Sequence, residues 1–290
     1  MGGVEETQGA TSVATPSAGL VSDEDRQLYA DEGYMVLKGV VPEDMLRMLR
    51  EECSYFLGYM DARIDAGLVA SEALTFRGKR YFVNNRYRFS ERLWRYVYGD
   101  LMADVCGATL GDDAYLFNEQ WVVKGAEQGM RFSWHQDSGY VKFMDPETVH
   151  EPYLTCWCAL DDVDETNGTV YLLPHSRAGT KGRIITHTRN AVSHDLVGYT
   201  GDDPGVALDV PAGSIVAFSS YNLHRSGANT TRDMRRVYLT QYVSAPVFHS
   251  QTGERFNLAV EFLKGGRNVY DHAMDTPERW GGTAPPALVA

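Results

Sequence analysis

From about residue 113 to residue 246 the chain is a succession of short runs of β-branched and aromatic residues separated by turn signals. These are AYLFNEQWVVK, RFSWHQDSGYV, YLTCWCALDDV, GTVYLLP, GRIITHT, GVALDVPAGSIVAFSS and RRVYLTQYVSA. Many short strands at such spacing predict an antiparallel sandwich or barrel. The preceding residues read as helices that would cover one of its sheets. In SDED, Ser22 is an N-cap three residues before a carboxylate, and that helix is expected to close at Gly33. A short strand, YMVLKGVV, follows. Pro42 then opens the amphipathic helix PEDMLRMLREECSYFLGYMDARI, with Met45, Leu46, Leu49 and Cys53 at helical spacing. A third helix is expected across SERLWRYVYGDLMADVC, ending near Gly107. The Asn167-Gly168 dipeptide reads as a turn that sets the next strand.

All-β sandwiches with helical additions reach 290 residues as one unit, so residues 21–290 are expected to form a single domain, with a β core over about 113–246. Residues 1–20, rich in Gly, Ala, Ser and Thr, read as a disordered tail. With 43% hydrophobic residues the chain can bury a large core without disulfides or a structural metal. A net charge of −12 argues against nucleic acid and anionic membranes, because binding phosphates needs clustered Lys and Arg. No run approaches the roughly 20 apolar residues needed to span a bilayer. The first cation is Arg26, so the N-terminus carries neither the basic region of a secretory signal nor the arginines of a transit peptide. Cys53, Cys106, Cys156 and Cys158 form no C-x-x-C pair, which fits a reducing cytoplasm. Cys156 and Cys158 share a strand face and read as buried core, with a two-thiolate metal site as the alternative.

The chemistry is concentrated in FSWHQDSGYV. On an extended segment, side chains at i and i+2 point to one face, so His135 and Asp137 would project together while Gln136 faces away. His224, at the end of the strand-like run after PAGSIVAF, offers a third ligand. Two histidines and one carboxylate with open positions form the facial triad of non-haem Fe(II) oxygenases. Eleven residues after His224 stands Arg235, with Ser226 two residues after the histidine. An arginine fork grips a carboxylate bidentately and a hydroxyl adds a hydrogen bond, so a dicarboxylate could have one end on the metal and the other on Arg235. The competing reading of Arg235 or Arg236 is a surface charge in a polar turn.

The order H-x-D, then W-x-A-L with NGTVYLLPHS, then histidine, serine and an arginine eleven residues past that histidine resembles the phytanoyl-CoA dioxygenase family. The resemblance begins at YADEGYMVLKGVVPEDMLRMLREE and runs to about residue 246. It implies a double-stranded β-helix, the jelly roll of cupin-like proteins, with N-terminal helices packed on one sheet. It also implies Fe(II), 2-oxoglutarate and O₂, with His135, Asp137 and His224 as iron ligands, Arg235 as cosubstrate anchor, and Ser226 and Trp157 as helpers. Gln136 matches the family's H-Q-D form. The reaction implied is oxidative decarboxylation to succinate and CO₂ coupled to hydroxylation of a small molecule. Desaturation or ring closure are other outcomes of that chemistry. Where iron halogenases of this superfamily carry a small residue, this chain keeps Asp137, which makes hydroxylation the default. The sequence departs from the family's P-G-S-H ending, reading P-H-S-R around His175.

Other assignments rest on position along the chain. Phe82, Asn84 and Arg86 come from the basic, aromatic stretch FRGKRYFVNNRYRF, which reads either as a ligand-facing segment or as a solvated loop. Asn118 and Gln120 precede the H-Q-D, and Tyr140 and Phe143 follow it. All seven are candidate cosubstrate or substrate contacts. Trp157, opposite in facing to Cys156 and Cys158, is either a cosubstrate wall or a core aromatic. Histidines 150, 187, 194, 249 and 272 read as ordinary polar residues. A metal-dependent isomerase or hydrolase on the same fold, or a non-catalytic ligand-binding protein, would retain the fold without needing Arg235. No lysine-rich groove suited to a CoA phosphate is visible, so the substrate expected is a small natural-product or amino-acid-derived molecule.

Overall fold

The computed structural model describes residues 19–68 and 75–275, so the tail expected over residues 1–20 lies outside the described residues save for its last two. Helix α1 (Asp23–Glu32) starts at the expected capping box, with Ser22 and Asp25 satisfying each other's backbone N–H groups. It ends where Gly33, at φ +82°, donates its N–H to the Tyr29 carbonyl. β1 (Tyr34–Leu37) leads to α2 (Glu43–Asp65), with Pro42 in the N-cap position. α2 buries Leu46, Leu49, Cys53 and Phe56 along one stripe.

The middle of the FRGKRYFVNNRYRF stretch is a sheet strand, since β2 (Arg80–Asn84) lies along half of β3 (Ala114–Lys124), and a short 3-10 turn over Tyr87–Phe89 follows it. The single helix expected over residues 90–106 is two, α3 (Glu91–Val97) and α4 (Asp100–Thr109). They part at Tyr98 and Gly99. The Tyr98 ring lies flat on Tyr270, 3.5 Å between centroids, and edge-on to Phe262, while a Cβ at position 99 would stand 2.2 Å from the Arg95 carbonyl oxygen.

The extended reading of RFSWHQDSGYV also needs correction. β4 (Phe132–His135) stops at the first ligand candidate, and α5 (Asp137–Met144) begins two residues later with Gln136 as N-cap. The remaining elements are β5 (Leu154–Ala159), β6 (Val170–Leu173), α6 (His175–Ala178), β7 (Thr188–Arg189), β8 (Leu196–Val197), β9 (Val206–Ala207) and β10 (Ile215–Ser219). β11 (Leu223–Ser226), β12 (Arg235–Val243), β13 (Val260–Lys264) and β14 (Arg267–Asn268) complete the chain. GRIITHT contributes almost nothing to a ladder, and the sheet recruits strands on both sides of 113–246.

All pairings are antiparallel. The large sheet runs β1-β10-β5-β12-β3-β13-β14, with β2 on the other half of β3. The small sheet runs β4-β11-β6-β9. Alternation along the strands divides the core in two. Cys156, Cys158, Trp121 and Tyr238 face the helices, whereas Trp157, Val216, Phe218 and Leu239 face inward with Val170 and Leu172 of the small sheet. All four cysteines are buried and unpaired. At the turn before β6, Gly168 takes φ +86° and Asn167 accepts from the Asp164 N–H.

One carboxyl is buried on the helix side of β3. Glu119 accepts from the N–H groups of Arg86 (2.7 Å) and Tyr87 (3.3 Å), and burial pushes it up to about 7. An acid raised on folding stabilises most below its unfolded value, and that contribution is lost as pH rises toward 7. The difference in unfolding temperature between wild type and Glu119→Gln is therefore expected to change between about pH 4.5 and 7.5, relatively against wild type at the higher pH. A flat difference would show that the carboxyl titrates normally.

Candidate active site

The two sheets hold a cavity of about 340 Å³, and at its wall the His-x-Asp pair meets His224. The small sheet makes that meeting: His224 on β11 is the direct cross-strand partner of His135 on β4, with ring centroids 4.0 Å apart. Each imidazole turns Nδ1 to a backbone carbonyl two residues earlier, Ser133 at 2.8 Å and Asn222 at 3.2 Å. A proton on Nδ1 leaves the Nε2 lone pairs free. Burial, then the neighbouring His135, pulls His224 down to about 3, so it is neutral. Asp137 Oδ1 lies 3.6 Å from His135 Nε2 and 3.5 Å from His224 Nε2. Burial disfavours its charge, but the two imidazoles and the Thr155 hydroxyl outweigh that and hold it at about 2. The three residues bring one ligand atom each within 4.8 Å of one another. Two imidazole nitrogens and one carboxylate oxygen, on one side of an open space, suit a divalent transition metal.

The second feature is a row of cations. Arg80, Lys124 and Arg235 are cross-strand partners on β2, β3 and β12, and each is about 1% exposed. Arg80 pairs with Asp195 at 2.9 Å. Lys124 donates to the carbonyls of Met130 and Gly227, and burial drives its ammonium far below the usual range. Arg235 is different: none of its three guanidinium nitrogens has a partner among the described residues. Burial pulls it down to about 9. It is not itself part of the cavity wall, but its neighbours are: Lys124 beside it, and Trp157, whose ring centroid is 5.4 Å from its guanidinium carbon. A buried cation without a partner is costly, and the fork is shaped for a carboxylate. Arg236 points the other way, half-buried and bidentate with Asp161.

Of the residues chosen from sequence, Trp157, Ser226, Phe82, Asn84, Asn118, Gln120 and Tyr140 line the cavity. Three do not. Gln136 is fully buried but used up elsewhere, donating to the carbonyls of Arg183 and Tyr221 and accepting from the Ile185 N–H. Arg86 follows β2, outside the cavity, with its guanidinium near the Phe89 ring. Phe143 is 42% exposed, under Arg189, on the outward side of α5. Sequence reasoning overlooked Arg80, Lys124, Thr155 and Gln241. Lys124 was detectable: it closes the alternation of AYLFNEQWVVK on the face of Asn118 and Gln120.

Comparison with known proteins agrees with this geometry. The family model for phytanoyl-CoA dioxygenase (PhyH) matches residues 29–237. The peroxisomal phytanoyl-CoA dioxygenase of Rattus norvegicus is 23% identical over 283 residues, covering 90% of this chain and 81% of that protein. A probable alpha-ketoglutarate-dependent hypophosphite dioxygenase of Stutzerimonas stutzeri is 26% identical over 234 residues, covering 77% and 78%. Among solved structures, EvdO2 from Micromonospora carbonacea var. aurantiaca, complexed with 2-oxoglutarate, superposes with a TM-score of 0.63 at 20% identity, covering 82% of this chain and 96% of that one. Among the described residues no helix is long and apolar enough to cross a membrane. The match spans most of the chain and takes in the His-Asp-His cluster, and the chain belongs to the phytanoyl-CoA dioxygenase family of Fe(II)- and 2-oxoglutarate-dependent oxygenases.

Proposed function

We propose that this chain hydroxylates an unactivated C–H of a small molecule whose bound part is uncharged, in natural-product or other specialised metabolism. His135 and His224 through Nε2, and Asp137 through Oδ1, hold Fe(II). Arg235, assisted by Ser226, holds the far carboxylate of 2-oxoglutarate. The observation that carries the reading is the unpartnered Arg235 guanidinium beside a cavity headed by two imidazoles and a carboxylate. When bound, iron, cosubstrate and O₂ supply the oxidant as 2-oxoglutarate becomes succinate and CO₂.

The residues of the chain do the rest. The carbonyls of Ser133 and Asn222 fix both imidazoles in the ligating tautomer. The rings of Phe82, Phe117, Tyr140 and Tyr153 shape the substrate space and limit water, and Asn84 and Gln120 offer neutral hydrogen bonds. The cations on the wall are committed: Arg80 and Lys124 belong to the Arg235 row, and Arg225 lies over Tyr171, 3.6 Å from its centroid. That leaves no uncommitted Lys or Arg on the cavity wall among the described residues, which supports a neutral molecule over a CoA ester.

Anaerobic addition of Fe(II) and 2-oxoglutarate is expected to give a weak visible charge-transfer band, which neither component gives alone. Candidate substrates are then screened for stimulated succinate release. Absence of the band at saturating concentrations of both would overturn the assignment of the site.

A further inference from the structure

The two oxygens of Asp137 have different surroundings. Oδ1 faces the imidazoles, whereas Oδ2 accepts from Thr155 Oγ1 at 2.6 Å and from Gln241 Nε2 at 2.9 Å. Gln241 Nε2 also donates to Thr155 Oγ1 at 3.0 Å, which commits the hydroxyl proton to Asp137. At the far end of the Gln241 amide, Oε1 accepts from Asn118 Nδ2 at 3.0 Å. The polarity of this chain of groups follows from one fact, that an ionised carboxylate only accepts. Oδ2 requires the NH₂ end of Gln241, so Oε1 is left for Asn118, which must present its own NH₂. The sheet register builds the row, since Gln241 is the direct cross-strand partner of Asn118 on β3 and of Thr155 on β5.

We propose that Gln241, together with Thr155, is a positioning residue that restricts Asp137 to a single metal-facing oxygen, and that Asn118 acts on the metal site through Gln241 alone. The proposal rests on the metal assignment above. A carboxylate with both oxygens free can turn and chelate with both, filling a position that cosubstrate or O₂ needs. Asn118 lines the cavity, so this row also links the substrate space to a metal ligand.

The test is anaerobic Fe(II) titration, with the unfolding temperature of each variant recorded. Wild type is measured first, and its failure to bind Fe(II) would overturn the metal assignment rather than the role of Gln241. Given wild-type binding, Gln241→Met is expected to weaken Fe(II) affinity about tenfold or more, the range typical for partners of metal ligands. It should also shift the charge-transfer band of the 2-oxoglutarate complex, which a packing defect elsewhere would not do. Gln241→Glu keeps the shape but sets a second carboxylate against Oδ2. It is expected to weaken binding similarly and serves if the methionine variant does not fold. Asn118→Leu should weaken binding several-fold in the wild-type background and not at all in Gln241→Met, because its effect passes through that amide. Unchanged affinity and band position in folded Gln241 variants would overturn the proposal, and so would additive effects of the two substitutions.

Discussion

His224→Ala and His135→Ala are each expected to abolish Fe(II) retention and turnover. Partners that merely orient a metal ligand are worth about 10–100-fold in affinity, so loss of a ligand itself should exceed that upper figure. The geometry makes compensation difficult: both imidazoles are buried, and no other His, Cys, Asp or Glu among the described residues joins the cluster. Asp137→Gly should lose most hydroxylation as well, because the site loses a ligand and its only negative charge. Iron content after anaerobic reconstitution, measured on protein with a cooperative unfolding transition, is the readout. Full iron retention in a histidine variant would remove that histidine from the site. Near wild-type hydroxylation in Asp137→Gly, at saturating iron and 2-oxoglutarate without halide, would show that the carboxylate is not an essential ligand.

The legible parts of this molecule are those where local chemistry and tertiary structure agree. Ser22, Asp25 and Gly33 bound α1 through hydrogen bonds made within the helix itself, so the sequence suffices to place it. Trp157 and Cys156 fall on opposite faces because a strand alternates wherever it is placed. The separation of Arg235 from Arg236 follows from the same alternation. The misread parts depend on distant partners. α5 begins at Asp137, after its N-cap Gln136, which is held by residues 183, 185 and 221, and the Gly139 backbone lies against the His187 ring, which a Cβ would meet at 2.4 Å. None of those partners is visible from FSWHQDSGYV. Tyr98 leaves its helix to reach Tyr270, 172 positions further on. The row of Asn118, Gln241 and Thr155 is not legible in the sequence for the same reason: it exists only once β3, β12 and β5 are in register.

Arg235→Met is expected to separate stability from cosubstrate affinity. Without an anion beside it, the Arg235 guanidinium is a desolvated cation with no partner among the described residues, a net cost to the free protein. Replacing it with an apolar side chain of similar length should leave the unfolding temperature of the free protein unchanged or higher. The consequence for 2-oxoglutarate runs the other way. Breaking a buried ion pair by removing one partner costs about 3–5 kcal/mol, and each 1.4 kcal/mol is roughly tenfold. The dissociation constant should therefore rise at least about a hundredfold, with Fe(II) affinity little changed. The thermal stabilisation that 2-oxoglutarate gives wild type in the presence of metal should vanish at the same concentration, since that shift depends on ligand concentration relative to Kd. Arg236→Ala is the control one residue away. It breaks a partly exposed pair with Asp161, worth about 1 kcal/mol or less, and should barely alter cosubstrate binding. If Arg236→Ala loses 2-oxoglutarate while Arg235→Met keeps it, the register that puts Arg235 beside Lys124 and Trp157 is wrong.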